Sequence, residues 1–99
     1  MSQITQEDAL KIAAQVMHPA IDRNLVDLGI VKDIEIKGTH ATVTFAFPAL
    51  NIPIADQLIG SVRSILEKQG LSVDHQVTVM SQPELQSFLA MEQAAWKGL

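Results

Sequence analysis

The sequence predicts an α+β fold in two layers: a three-stranded sheet with helices on one face, in the order helix-strand-strand-helix-strand, plus an additional C-terminal helix. Three observations predict it. The 99 residues leave room for one compact domain. Hydrophobic residues make up 47% of the chain and charged residues 18%, so a packed core can form. Apolar residues recur at helical spacing in some segments and alternate with polar residues in others.

The first helix is predicted to begin near Gln6. Thr5 stands three residues before Asp8, as in a capping box. The apolar residues that follow at helical spacing are Ala9, Ile12, Ala13 and Val16. Because the residue before a proline is disfavoured in helical geometry, the helix should end by His18. The segment 18–29 is then expected to be an irregular connection.

Two strands joined by a tight turn are predicted next. From Val31 the period changes to two, with Ile34 and Ile36 on one face and charged side chains on the other. Gly38-Thr39 can turn the chain. In the second strand, apolar and mostly polar residues again alternate, and the apolar set is Ala41, Val43, Phe45 and Phe47. The pair is expected to form a hairpin.

A loop over 48–53, a second helix and a third strand follow. The apolar stripe of the helix is Leu58, Ile59, Val62, Ile65 and Leu66. Asn51 is expected to cap this helix, and Gly70 should end it. The third strand alternates Leu71, Val73, Val77 and Val79. His75 falls on the same apolar face, which predicts a core or edge histidine.

A C-terminal helix is predicted from Ser81-Gln82-Pro83-Glu84, which combines an N-cap, a first-turn proline and a capping-box glutamate. Its apolar stripe, Leu85, Phe88, Leu89 and Trp96, is interrupted by Glu92. This stripe either packs on the domain or docks on a partner. We expect a homodimer to which the helix contributes, because small domains bury a limited share of their surface. The predicted division is a domain over 1–82 and a helix over 83–99 that serves packing, linkage or oligomerisation.

Charge and cysteine content exclude several classes of function. The formal net charge of −4 has the wrong sign for binding a phosphate backbone, so nucleic acid is not an expected partner. With no cysteine, the chain offers no thiolate for a zinc site, a nucleophile or an iron-sulfur cluster. No apolar stretch is long enough for a membrane span and the N-terminus lacks a secretion signal, so we expect a cytoplasmic protein.

A resemblance to a known family runs from about residue 7 to residue 80. Its most specific motif is Asn24-Leu25-Val26-Asp27-Leu28-Gly29-Ile30-Val31, preceded by His18-Pro19-Ala20 and followed by Pro53-Ile54-Ala55-Asp56-Gln57-Leu58. The chain resembles the iron-sulfur cluster assembly domain of PaaD-type and SufT-type proteins, also found at the N-terminus of Mrp-type P-loop carriers. Members commonly read Asp-Pro-Glu in place of His18-Pro19-Ala20. Many carry Cys-Pro where this chain has Ile52-Pro53.

The resemblance and the loop residues together suggest where a partner would bind. We predict a partner-binding loop formed by Asn24, Asp27, Asn51, Ile52 and Pro53, and an interface on Leu85, Phe88, Leu89 and Trp96. The polar loop residues have a purely architectural alternative, because short polar side chains also fix turns. No catalytic, cofactor-binding or metal-binding residue is predicted. The histidines are not spaced as ligands, which leaves His18 with Asp22 and Asp27 as a minor metal-site alternative.

The resemblance implies a non-enzymatic accessory or adaptor domain that acts through protein contacts with the iron-sulfur assembly machinery. Two alternatives stay open at this point. One is a general protein-interaction or dimerisation module unrelated to cluster assembly. The other is the N-terminal domain of a longer Mrp-type ATPase; the chain itself has no Gly-Lys-Ser or Gly-Lys-Thr phosphate loop.

Overall fold

The computed structural model describes residues 4–49 and 54–96 and has the predicted α+β architecture. Six elements follow one another along the chain. The helices are α1 (Gln6–Ala13), α2 (Ala55–Glu67) and α3 (Gln82–Ala95), and the strands are β1 (Val31–Lys37), β2 (His40–Phe47) and β3 (Ser72–Val79). The strands form one mixed sheet in the order β1-β2-β3.

The central strand β2 pairs with one neighbour in each direction. It runs antiparallel to β1 across the turn at Gly38, whose positive φ of 61° explains the glycine there. It runs parallel to β3, with Ala41 opposite Val73 and Phe47 opposite Val79. A parallel pair needs a long crossover connection, and α2 lies in that crossover. The hairpin prediction is therefore confirmed, and β3 becomes an outer strand.

Helix α1 begins as predicted and ends earlier than its apolar spacing suggests. Thr5 and Asp8 make the reciprocal hydrogen bonds of a capping box. The helix ends at Ala13, so Val16 lies beyond it. The reason is a competing partner: the carbonyl of Val16 accepts a hydrogen bond from the Leu25 amide at 3.0 Å, which pairs this segment with the later loop.

Helix α2 buries Leu58, Val62 and Leu66, three of the predicted stripe residues. Its N-cap is Ile54, whose side chain makes no capping hydrogen bond. Asn51 itself lies outside the described residues.

The hydrophobic core lies on one face of the sheet. Alternate residues of β2, among them Val43 and Phe45, are buried there together with Ile34 of β1. Helices α1 and α2 pack against this side and against each other. The opposite face carries Thr42 and Thr44, which are half-buried, and the fully buried Ala46 near the end of β2. One polar and one apolar face per sheet is the arrangement that the alternation predicts.

Strand β3 is buried only in its first half. Val73 is buried, whereas His75, Val77 and Val79 are exposed, Val77 to 56%. The three lie on the core-facing side, since their partners in β2 are Val43, Phe45 and Phe47. The predicted alternation is therefore confirmed, and the helical layer covers this apolar face only at the start of the strand. His75 is the edge histidine of the two alternatives.

Helix α3 begins with the predicted capping box between Ser81 and Glu84.

Within the described residues, no helix is both long and apolar enough to cross a bilayer.

Candidate functional site

Several loops and helix termini meet at one end of the sheet. The parallel strands β2 and β3 finish there, at Phe47 and Val79, and the antiparallel β1 begins there at Val31. The segment 18–30, the loop after β2 and the first turn of α3 consequently share this end. Loops at the carboxyl ends of parallel strands are a common location for binding sites. This end carries the predicted loop residues Asn24 and Asp27; Asn51, Ile52 and Pro53 lie outside the described residues.

Asn24 and Asp27 bind each other in a closed turn. The Asn24 side-chain oxygen accepts from the Asp27 amide at 2.8 Å, and its nitrogen donates to an Asp27 carboxylate oxygen at 3.0 Å. The turn directs Leu25 and Leu28 into the core, where both are fully buried. Gly29 continues it at a φ of 80°. The two side chains are therefore used to fix the turn, as the architectural alternative holds. Asp27 nevertheless remains exposed to solvent.

His18 is the buried polar residue of this region, with 8% of its surface exposed. Its Nδ1 accepts a hydrogen bond from the Ala20 amide at 3.0 Å. An aspartate at the same place would accept that amide two residues along the chain, as in an Asx turn. The bond closes a turn over His18-Pro19-Ala20. No group of three possible metal-ligating side chains is found among residues 4–49 and 54–96.

A groove of about 260 Å³ separates the Asp27 turn from α3. Its lining residues are Asp27, Leu28, Gly29, Pro83, Glu84, Ser87 and Met91. Glu84 is held by the Ser81 amide at 2.8 Å and by Lys32 of β1 at 3.5 Å. The hydrogen bond from the Ser81 backbone, more than the Lys32 charge, lowers the pKa of Glu84 below its ordinary value of 4.5. One wall of the groove is thus fixed by a capped helix start and an ion pair.

The four predicted interface residues, three on α3 and Trp96 directly after it, are in different environments. Phe88 is only 5% exposed and belongs to the chain's own core, and Leu85 is half-buried. Leu89 and Trp96 remain 42% and 50% exposed. The helix thus has an inner side that packs on the domain and an outer side that keeps large apolar side chains in water.

The end of α3 is attached to the segment between α1 and β1. The Asp22 amide donates to the Ala95 carbonyl at 2.8 Å, and Ile21 forms an isolated β-bridge with Trp96. A hollow of about 390 Å³ borders Trp96, Glu92 and Gln93. Sequence patterns did not indicate this attachment, because a single backbone bridge leaves no periodic signal. It positions Trp96 at the rim of the hollow instead of leaving it at a free helix end.

Comparisons with known proteins give one consistent result. The family model described as iron-sulfur cluster assembly protein matches residues 7–79. A Porphyromonas gingivalis protein named "Fe-S protein maturation auxiliary factor" is 32% identical over 75 residues, which cover 71% of each chain. A crystal structure of a domain of unknown function, DUF59, from Bacillus anthracis superposes with a TM-score of 0.64 at 20% identity, covering 86% of this chain and 89% of that one. The last similarity concerns the fold alone.

Proposed function

The chain belongs to the iron-sulfur cluster assembly protein family, and from that membership we propose that it is a non-enzymatic accessory or adaptor protein of iron-sulfur protein maturation. In this proposal it works in the cytoplasm through protein contacts and does not ligate a cluster itself. The observation that carries the proposal is the family match over 7–79 in a sequence without cysteine. Thiolates are the usual cluster ligands, and Ile52 stands where many family members have one.

The outer side of α3 is the proposed contact surface for a component of the assembly machinery. Leu89 is exposed there and Trp96 is exposed directly after the helix, while Phe88 and the Asp22 to Ala95 hydrogen bond hold the helix in place. Tryptophan is enriched at protein interfaces, and a preformed helix loses little conformational freedom on binding. Asn24 and Asp27, with Asn51, Ile52 and Pro53, form the proposed second contact at the partner-binding loop.

Trp96 is the one tryptophan of the chain, so its fluorescence reports on this surface directly. We propose titrating the protein with an Mrp-type P-loop cluster carrier. Binding should shift the Trp96 emission to shorter wavelength as the ring leaves water. By calorimetry, Trp96→Ala should weaken binding by roughly 2 kcal/mol or more, the size expected for an anchor residue. Val77→Ala, an exposed apolar residue outside α3, is the matched control and should bind normally.

Two results would count against the proposal. Equal affinity of the carrier for Trp96→Ala and the unmodified protein would remove α3 from the contact. Stoichiometric iron and sulfide retained by the isolated chain through gel filtration, after anaerobic reconstitution, would show that it ligates a cluster.

Self-association through α3, which the sequence predicts, is the alternative use of the same surface. Leu89 and Trp96 are the exposed pair that the helix can offer, since Phe88 is already buried in its own chain. A truncation tests the predicted division between the domain over 1–82 and the helix over 83–99. If α3 carries a dimer contact, removing 83–99 leaves a folded monomer; a truncation that unfolds would show that the domain needs the core packing of Phe88.

A further inference from the structure

Strand β3 has one row of backbone groups that no other described strand uses. The amides of Ser72 and Met80 donate to the carbonyls of Thr39 and Phe47, both at 2.8 Å. Because backbone groups alternate sides along a strand, the even-numbered residues of β3 face β2 and the odd-numbered residues face away from the sheet. The outward row consists of Val73, His75, Val77 and Val79.

The same four residues place their side chains on the core-facing side of the sheet. The helical layer covers the first of them and leaves the others bare: Val73 is 5% exposed and Val77 56%. The His75 ring still meets the edge of buried Phe45, with ring centroids 6.2 Å apart. β3 therefore combines unpaired backbone groups with exposed valines, the combination that promotes pairing with another strand.

We propose that a second copy of this chain pairs antiparallel with β3 across a two-fold axis at Gln76, which joins the two sheets into one of six strands. A closed two-fold contact requires a self-complementary edge. About Gln76, Val73 lies opposite the partner's Val79, and His75 lies opposite the partner's Val77. The two-fold axis generates the same two pairs a second time, which gives four pairs in all. The residues of each pair exchange two N–H···O=C bonds. All outward groups of β3 are then satisfied.

Charge and register select this axis over its neighbours. An axis at Asp74 would place two carboxylates directly opposite each other, which is destabilising in a strand pair. An axis at His75 or at Val77 would leave part of the outward row beyond the end of the paired strands. About Gln76, Asp74 instead faces the partner's Thr78, and its carboxylate is already bound by His40 at 3.0 Å. The polar residues of both copies meet on one face and the apolar residues on the other.

The uneven helical cover of β3 also fits this axis. Each copy covers the first half of its strand, at Val73, and leaves the second half bare, at Val77 and Val79. The two-fold axis brings the covered half of one strand beside the bare half of the other. The exposed valines of each copy thereby gain apolar neighbours from the partner.

A cysteine introduced on the axis tests the register directly, because the natural chain has none. Residues facing each other at a non-hydrogen-bonded position have Cα atoms about 4.5 Å apart, within the range that a disulfide spans. Gln76→Cys should therefore form a covalent dimer under mild oxidation. Thr78→Cys is the matched control on the same exposed face. Its two thiols would lie four residues apart along the strands, about 13 Å, and should not cross-link.

Sedimentation of the uncross-linked protein provides the second measurement. Val77→Lys puts a charge on the edge and should raise the dimer dissociation constant roughly tenfold or more, whereas Trp96→Ala should leave it unchanged. Equal cross-linking of Gln76→Cys and Thr78→Cys would overturn the proposal. So would a monomer at high concentration, or a dimer that dissociates with Trp96→Ala and not with Val77→Lys. None of these readouts depends on the iron-sulfur partner, so the maturation role and the β3 pairing fail separately.

Discussion

The two outer strands of the sheet, β1 and β3, differ in how far their free edges are protected from pairing with another strand. β1 is interrupted by a bulge between Val31 and Asp33, and it carries a charged side chain at each of its four exposed positions. Gln6 of α1 donates to the Asp33 carboxylate at 2.9 Å, and Lys32 pairs with Glu84 of α3. β3 pairs over eight regular residues and has one acidic residue, Asp74.

The difference indicates which edge is protected and which is available. Bulges, charges and covering elements are the usual means by which proteins prevent an outer strand from pairing. β1 has all three. Among the described residues, the exposed second half of β3 has no bulge, no charge and no covering element. We interpret β1 as the closed edge and β3 as the edge through which the chain associates.

The largest expected contrast concerns packing under the two strands. Ile34 of β1 is fully buried, and Ile34→Ala should destabilise the fold by about 2 to 5 kcal/mol. Val77→Ala removes an exposed side chain and should change the free energy of unfolding by no more than about 0.5 kcal/mol. Urea denaturation at a concentration where the protein is monomeric measures both. A large loss for Val77→Ala would show that the second half of β3 is covered within one chain.

Proline substitutions compare the two sides of β3 itself. Thr78→Pro removes an amide that faces β2 and should cost roughly 1 to 3 kcal/mol of monomer stability, because a ladder hydrogen bond is lost. Val77→Pro removes an outward amide, so the monomer should tolerate it while the dimer dissociates. Equal destabilisation of the monomer by both variants would contradict the assigned alternation of the backbone groups.

The start of α3 gives a smaller effect. Ser81 ends the connection from β3, and its hydroxyl accepts the Glu84 amide at 3.4 Å. Ser81→Ala should lower stability by about 1 kcal/mol, whereas Ser81→Asp, which can still cap the helix, should retain most of it. Thermal unfolding of the two variants tests this. If both lose the same amount, the side-chain cap at Ser81 does not contribute to stability.

The smallest effect is a pH dependence linked to Glu84. The folded state lowers its pKa, chiefly through the Ser81 backbone hydrogen bond, and Lys32 of β1 adds to the shift. The charged carboxylate therefore favours the folded state above its ordinary pKa of 4.5, and this contribution is lost as the pH falls through the lower folded value. On acidification, the unmodified protein should lose more stability than Glu84→Gln. Parallel acid titrations of the two would contradict the contribution of the Glu84 carboxylate to folding.

The elements with a strong periodic signal were predictable from sequence, and so were two of their starts. The hairpin, the α2 stripe and both capping boxes are confirmed. The early end of α1 was not predictable, because the Val16 carbonyl finds its partner in a distant segment. Apolar residues continue at helical spacing as far as Val16, although the helical backbone ends at Ala13.

The sequence identified the apolar residues of β3 and of the α3 stripe, but not which of them are exposed. Alternation in β3 correctly assigns His75 and Val77 to the apolar face, but it carries no information on how far the helices reach across that face. Likewise, the stripe of α3 contains both buried Phe88 and exposed Trp96, and only the packing of the helix separates them. Exposure depends on the parallel placement of β3 at the edge, a tertiary property that local spacing does not determine.

Amide hydrogen exchange at low and high protein concentration tests the contrast between the two faces of β3 most directly. We predict that the amides of Asp74, Gln76 and Thr78 are protected at both concentrations, because they face β2. Those of His75, Val77 and Val79 should exchange rapidly in dilute solution and become protected as the dimer forms. Outward amides that exchange rapidly at every concentration would contradict the account, and so would outward amides that are protected in the monomer.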